Sequence, residues 1–241
     1  MEQGNLNGNP DDGSVSHQWP EQAAARNTHE RVLEVIRRHF PNPGGLRMLD
    51  LTCGAGSFSA RLANLGVDVT PMDIEAVTPF YADAGKRVLG DANLALPFPD
   101  GAFDAVVTIE GIEHLENPAF FMRECARVTK PGGMVFLSTP NVDSLRSRKY
   151  VMLYGYHKYF GPFSDVHKDS WHMLPVDMIF VRGAAKKAGL EIVDMAVNDM
   201  KGKSLFKEML RPLLTRKLPE CLRGQIPYYG EVIIYAMRKP A

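Results

Sequence analysis

Only three cysteines, Cys53, Cys125 and Cys221, stand in 241 residues, and no two of them form a CxxC pair. A disulfide framework and a paired-thiolate zinc site are therefore not expected, and the pattern reads as reduced thiols of a cytoplasmic protein. No apolar run reaches the ~18 residues that a membrane-spanning helix needs. Residues 1–20 contain neither Lys nor Arg and have no apolar centre, so they are not expected to be a secretory signal. Neither sign of charge is in excess: 28 basic residues face 28 acidic ones, which argues against bulk affinity for nucleic acid. Apolar residues, at 45%, are plentiful, and a chain of this length buries a core without staples.

Residues 1–20, with three acids and much Gly and Asn, are expected to form a mobile tail. Residues 21–241 are expected to form one domain. A helical pattern runs from Glu21 to Phe40, with Val32, Leu33, Ile36 and Phe40 on one face, and a Pro/Gly stretch at 41–45 ends it. Short apolar strands then alternate with helices. Strands are expected at 47–51, 67–72, 87–89, 103–109, 134–138, 190–195 and 231–237. Helices are expected after Gly56, from Pro118 with Asn117 as its cap, and over 175–188. Alternation of this kind predicts an α/β, Rossmann-like, doubly wound sheet of seven strands, mostly parallel with the last strand antiparallel. Two stretches, 141–173 and 200–229, fit it poorly and read as insertions.

The first strand ends in Leu49-Asp50-Leu51-Thr52-Cys53-Gly54-Ala55-Gly56-Ser57, a glycine turn leading into a helix. Nucleotide-like ligands bind such sheets at this place. A dinucleotide site wants a third glycine, and that position is Ser59. The neighbouring strand ends are acidic: Asp73 closes the second strand and Gly90-Asp91-Ala92 the third. An acid at the second strand end can accept from both ribose hydroxyls. Together these residues describe a pocket for an adenosine that carries an amino-acid tail rather than a pyrophosphate.

On LDLTCGAG (49–56), Asp73, GDANLALPFPDGAFDAVVTIEGIEHLENP (90–118) and RVTKPGGMVFLSTPN (127–141), the chain resembles the class I S-adenosylmethionine-dependent methyltransferases. PFPDGAFD, EHLENP and KPGG are similar to the branch holding ubiquinone-type and sugar-modifying O-methyltransferases. The resemblance implies S-adenosyl-L-methionine as cofactor. It implies that Asp50, Thr52, Cys53, Gly54 and Gly56 shape the methionine end, that Asp73 binds the ribose, that Asp91 and Ala92 hold adenine, and that Glu110 lines the site. Thr52 stands where the family usually has glycine, and a strand residue is expected to be tolerated there.

After the fourth strand comes Glu110-Gly111-Ile112-Glu113-His114. His114 is placed to take a proton from an acceptor hydroxyl, with Glu113 beside it. The alternatives are a helix cap, or a divalent-cation cluster of Glu110, Glu113 and His114 like that of the ubiquinone-biosynthesis enzymes. Enzymes that methylate amino groups of DNA bases carry Asn or Asp followed by Pro-Pro here, and this chain does not. Residues 150–171 hold seven of the chain's aromatics, interleaved with His157, His167 and, just beyond, His172. They read as an acceptor cover, with Tyr154, Tyr156, His167 and His172 as candidate contacts, or as a small satellite core. Residues 201–223 carry seven basic residues against two acids at helical spacing, which suits a peripheral membrane contact, an anionic substrate or a solvated helix. The expected activity is methyl transfer to a small-molecule hydroxyl: a sugar or lipid-linked glycan first, an isoprenoid phenol second. The rival is a non-catalytic cofactor-binding subunit that works through a partner protein.

Overall fold

A computed structural model describes residues 27–161, 172–198 and 229–241. The expected tail at 1–20, His167 and the basic stretch 201–223 lie outside the described residues. Seven strands form one sheet: β1 Arg47–Leu51, β2 Asp68–Asp73, β3 Val88–Leu89, β4 Phe103–Ile109, β5 Thr129–Pro140, β6 Glu191–Val197 and β7 Val232–Arg238. Their order is β3-β2-β1-β4-β5-β7-β6. β7 is antiparallel to both β5 and β6, and the remaining pairs are parallel. The chain winds outward from β1 to β3, then returns to place β4 on the other side of β1. The carboxyl ends of β1 and β4 thus flank the point where the winding reverses, which is where such sheets open a crevice.

Among the described residues there are five α-helices, α1 Thr28–His39, α2 Ser57–Ala63, α3 Pro118–Val128, α4 Leu145–Tyr154 and α5 Met178–Lys187, of which all but α4 pack on the sheet. Alternate strand residues face opposite layers. Met48, Ala105, Val107 and Phe136 meet Val32, Val35 and Ile36 of α1 and Phe58 and Leu62 of α2. Leu49, Val106, Val135 and Leu137 meet Phe121, Cys125 and Val128 of α3 and Val181 and Ala184 of α5. Both faces are covered, so β1 and β4 are mainly apolar, with Asp50 and Thr108 as buried polar exceptions. Each fully buried large side chain contributes about 1.5–3 kcal/mol. Among the described residues, no helix is long and apolar enough to cross a membrane.

Several expected bounds shift. α1 is described from Thr28, and Val35 is fully buried where Leu33 is only half-buried. β5 starts at Thr129 and runs through the Pro131-Gly132-Gly133 breaker, with its register against β4 shifting between Phe103 and Ala105. The stretch read as an irregular insertion contains α4. Ser144 caps it by accepting from the Ser147 amide, and Gly155 closes it in the left-handed conformation.

Candidate active site

One wall of the crevice grows from the turn after β1. The Cys53 amide donates to Met72 O at 3.1 Å, tying the turn to β2. The Gly54 amide donates to Asp73 Oδ2 at 2.8 Å, and the Glu75 amide to Asp73 Oδ1 at 3.1 Å. Two backbone donors therefore orient the Asp73 carboxylate, and each oxygen keeps a lone pair for a ligand. Gly56, at φ 75°, lets the loop after β2 close in: a Cβ there would lie 2.8 Å from the Phe80 ring.

Thr52 is not a strand residue, as expected, but a left-handed one at φ 56°. That conformation is costly for a β-branched side chain and explains why glycine is usual there. The Thr52 hydroxyl is held by Leu51 O at 2.5 Å and Thr108 Oγ1 at 3.1 Å. Its side chain fills the space opposite Gly111, where a Cβ would lie 2.1 Å from Thr52 Oγ1.

The other wall follows β4. Glu110 is also left-handed, at φ 49°, and its amide donates to Ser138 O at 3.1 Å. A 3₁₀ turn, Ile112–His114, comes next. Glu113 is fully buried, and its Oε2 accepts from Thr139 Oγ1 at 3.0 Å while its Oε1 has no hydrogen-bond partner among the described residues. Burial, aided by the nearby Glu110 charge, pushes its carboxyl up to about 8. Segment 172–174 is stitched against this turn: the amides of Met173 and Leu174 both donate to Glu113 O, at 2.9 and 3.2 Å. The His172 ring meets the His114 ring edge-on with centroids 4.8 Å apart.

Between the walls lies a cleft of about 330 Å³, the size of a small-molecule site. Of the expected cofactor residues, Thr52, Asp73, Asp91, Ala92 and Glu110 line it, and so does His114. Asp50, Cys53, Gly54 and Gly56 do not. Asp50 lies fully buried behind the turn, accepts from Ser59 Oγ at 2.5 Å and is pushed by burial up to about 7, so it braces the start of α2. Cys53 is partly buried, and burial first, then the Asp50 and Asp73 charges, raise its thiol and leave it inert as a nucleophile. Glu113 stands behind the lining and reaches the cleft only through its neighbours.

The cation cluster also differs from expectation. The groups whose donor atoms fall within 4.8 Å of one another are Glu113, His114 and His172, and Glu110 is not among them. Tyr154 and Tyr156 form an aromatic ladder with Tyr150, with centroids 5.3 and 6.1 Å apart, and none of the three lines the cleft. Ile74, Asn93, Gly111 and Leu115 line it unannounced. Each lies within two residues of an expected one, so extending every strand-end motif by a residue or two would have found them.

Residues 49–137 match a family described as "Methyltransferase domain". A ubiquinone biosynthesis O-methyltransferase of Caulobacter vibrioides is 38% identical over 105 residues, covering 40% of this chain and 42% of that protein. The chain thus spans less than half the length of the curated relatives it matches. Among solved structures, an S-adenosylmethionine-dependent methyltransferase of Archaeoglobus fulgidus superposes with a TM-score of 0.54 at 22% identity, covering 88% of this chain and 95% of that one. The cyclase SpnF superposes with a TM-score of 0.58 at 19% identity, covering 92% and 86%. Likeness at this distance speaks for the fold, and the cyclase shows that the fold hosts more than one chemistry. From β1 to β5 the chain is similar in sequence to a methyltransferase-domain family, and its sheet has the architecture of the solved methyltransferases.

Proposed function

We propose that the protein binds S-adenosylmethionine in this cleft and transfers its methyl group to a hydroxyl of a small-molecule acceptor. One observation carries the reading. Three carboxylates, Asp73, Asp91 and Glu110, line the cleft, and no Lys or Arg stands among its described lining residues. That charge suits a ligand bearing a sulfonium and an ammonium group, and it opposes a pyrophosphate. When bound, the cofactor supplies a methyl group on a sulfonium, which leaves as a thioether when an acceptor oxygen attacks.

The residues divide the work. Asp73 and Asp91 hold the adenosine, and the left-handed turns at Thr52 and Glu110 set the floor between the two strand ends. His114, at the far end, takes the acceptor proton, with Glu113 behind it as a neutral brace. Alignment of the two reactants accounts for up to about 7–11 kcal/mol of barrier lowering in ideal cases. The family match ends at residue 137, before the segments 141–161 and 172–174 that border the acceptor side. The acceptor therefore rests on chemistry alone. A hydroxyl-bearing sugar or lipid-linked glycan and an isoprenoid phenol both fit, and the name of the curated relatives favours the phenol.

Two measurements test the reading. S-adenosylhomocysteine should bind in calorimetry where a nicotinamide dinucleotide does not. Labelled S-adenosylmethionine, incubated with the protein and an extract of its source cells, should label a small molecule. His114→Ala should abolish most labelling and leave cofactor affinity within about twofold. Tight binding with no label in any extract would instead establish the non-catalytic cofactor-binding subunit.

A second reading has its own observation. The buried Oε1 of Glu113, without a partner among the described residues, sits with His114 and His172 in a group of two imidazoles and one carboxylate, a donor set that suits a divalent transition cation such as Mn²⁺, Fe²⁺ or Zn²⁺. A cation there would draw Glu113 into its ionised form and lower the pKa of an acceptor hydroxyl. Loss of turnover on chelation, restored by Mn²⁺, Fe²⁺ or Zn²⁺, supports it. Undiminished turnover leaves the histidine as the base.

A further inference from the structure

His172 reaches the His114 face through a chain of contacts that begins on the last strand. Glu231, immediately before β7, has its backbone fixed on both sides. Its amide donates to Asn198 Oδ1 at 2.8 Å, and its carbonyl accepts from the Asn141 amide at 2.8 Å. Its carboxylate gathers the loop after α4. Lys158 Nζ donates to Glu231 Oε1 at 2.6 Å, Arg146 pairs with the same oxygen, and the Tyr159 hydroxyl lies near the carboxylate. Burial works against ionisation of Glu231, but these donors outweigh it and hold its carboxyl below the usual range. Lys158 also donates to the Tyr159 hydroxyl, which ties the two side chains together.

Tyr159 is held at φ 75°, a left-handed conformation that costs a non-glycine residue about 1–3 kcal/mol. In that conformation its carbonyl oxygen lies 3.0 Å from His172 Nδ1. A carbonyl only accepts, so Nδ1 must carry the proton, and in the neutral ring Nε2 carries the lone pair. The ring is further located between Phe160, at 5.2 Å, and His114, at 4.8 Å.

We propose that Glu231 is a positioning residue for the acceptor wall: through Lys158 and Tyr159 it holds the carbonyl that fixes the tautomer and placement of His172. The inference rests on the His114–His172 face being the acceptor side. It deepens that reading by giving His172 a defined hydrogen-bonding role, Nε2 as acceptor, toward a proton or a cation alike. A second anchor of the loop, Ser147 Oγ, accepts from the Lys158 amide at 3.3 Å and meets His157 Nδ1 at 3.1 Å. It reaches the Tyr159–Phe160 peptide through the Phe160 amide, which donates to His157 O at 3.0 Å, and leaves the Tyr159 side chain to Lys158 and Glu231, so the two anchors share the placement of the carbonyl.

The test is a long-range ¹H–¹⁵N correlation spectrum of protein labelled in its histidines. It is recorded without cofactor or acceptor at a pH where imidazoles are neutral, with His172 assigned by its loss in His172→Gln. In the unaltered protein His172 should appear almost wholly as the Nδ1–H tautomer. Glu231→Ala should convert it to a mixture, and Tyr159→Phe and Lys158→Met should shift it in the same direction. Glu231→Gln, which keeps the shape and one acceptor, should produce a smaller shift and carries the test if the alanine variant fails to fold. S-adenosylhomocysteine affinity should stay within about twofold in every variant that folds. An Nε2–H tautomer in the unaltered protein, or unchanged His172 nitrogen shifts in folded Glu231 variants, would overturn the proposal. Because the spectra need neither ligand nor turnover, that failure is distinct from a failure of the methyl-transfer reading.

Discussion

On the β1–β2 side of the cleft, the polar groups are set by hydrogen bonds between neighbouring strand ends, such as Gly54 to Asp73 across 19 positions. On the β4–β5 side, they are set by segments far apart in the chain, such as Lys158 and Glu231 across 73 positions. The first wall keeps its acids near solvent and orients them with backbone amides. The second buries Glu113 and sets two imidazoles edge-on beside it. On the proposed reading, the cofactor is held by a wall built from neighbouring strand ends, and the acceptor by a wall whose contacts join distant segments outside the sheet.

The largest expected effect would break this contrast at its buried acid. Burial raises the Glu113 carboxyl from 4.5 to about 8. Its native pKa lies above its unfolded one, so the native state binds the extra proton and the stability is fully present below about pH 4.5. That stability is lost as pH rises toward about 8. Asp50, raised from 3.8 to about 7, acts in the same direction. Glu113→Gln keeps the neutral shape and the Thr139 contact without a charge to desolvate. It should therefore be more stable than the unaltered protein at pH 8.5, by a few kcal/mol at most, and about equal at pH 4.5. Denaturant unfolding at the two pH values checks this, and a pH-independent difference would remove Glu113 from the account.

Next in size is the opposite wall. Asp73→Ala removes a carboxylate already oriented by two backbone donors and leaves the sheet untouched. Calorimetry should show cofactor affinity falling more than tenfold, at least about 1.4 kcal/mol, with little change in stability. An unchanged dissociation constant would take the ribose assignment away from Asp73. Together the two variants separate the walls: one shifts stability with pH, the other shifts cofactor binding.

The same contrast governs how much was legible beforehand. β1 and β4 have the bounds expected of them, since a strand buried on both faces shows as a mainly apolar run. Asp73, Asp91 and Ala92 line the cleft because each sits at a strand end and the fold places strand ends together. α4 escaped notice because only Ser147 of its ten residues is buried, so it carries no apolar stripe. Its signals were local ones, Ser144 as cap and Gly155 as stop. The pairing of His172 with His114 had no sequence signal, because it depends on a Tyr159 carbonyl turned by a left-handed backbone. Asp50 is expected at the methionine end on the resemblance, and its side chain is turned to Ser59 instead. Periodicity locates a strand end, but it does not say which layer a side chain enters there.

The smallest expected effect sharpens the comparison where the walls meet. Thr52 and Gly111 follow β1 and β4, and each limits the other. At an ordinary buried position Thr→Val, which keeps the shape, costs less than Thr→Gly, which removes the side chain. At φ 56° the order should invert. Valine keeps the left-handed strain and loses the hydroxyl's bonds to Leu51 O and Thr108. Glycine loses the same bonds but relieves the strain. Thr52→Gly should therefore be the more stable of the two by about 1 kcal/mol in denaturant unfolding. Gly111→Ala adds a closer test. With Thr52 present, its methyl would meet Oγ1 at 2.1 Å and should cost about 1–3 kcal/mol. In the Thr52→Gly background most of that cost should vanish. Additive effects of the two substitutions would mean that 52 and 111 are not coupled, and that the Thr52 side chain is not what requires glycine at the start of the acceptor wall.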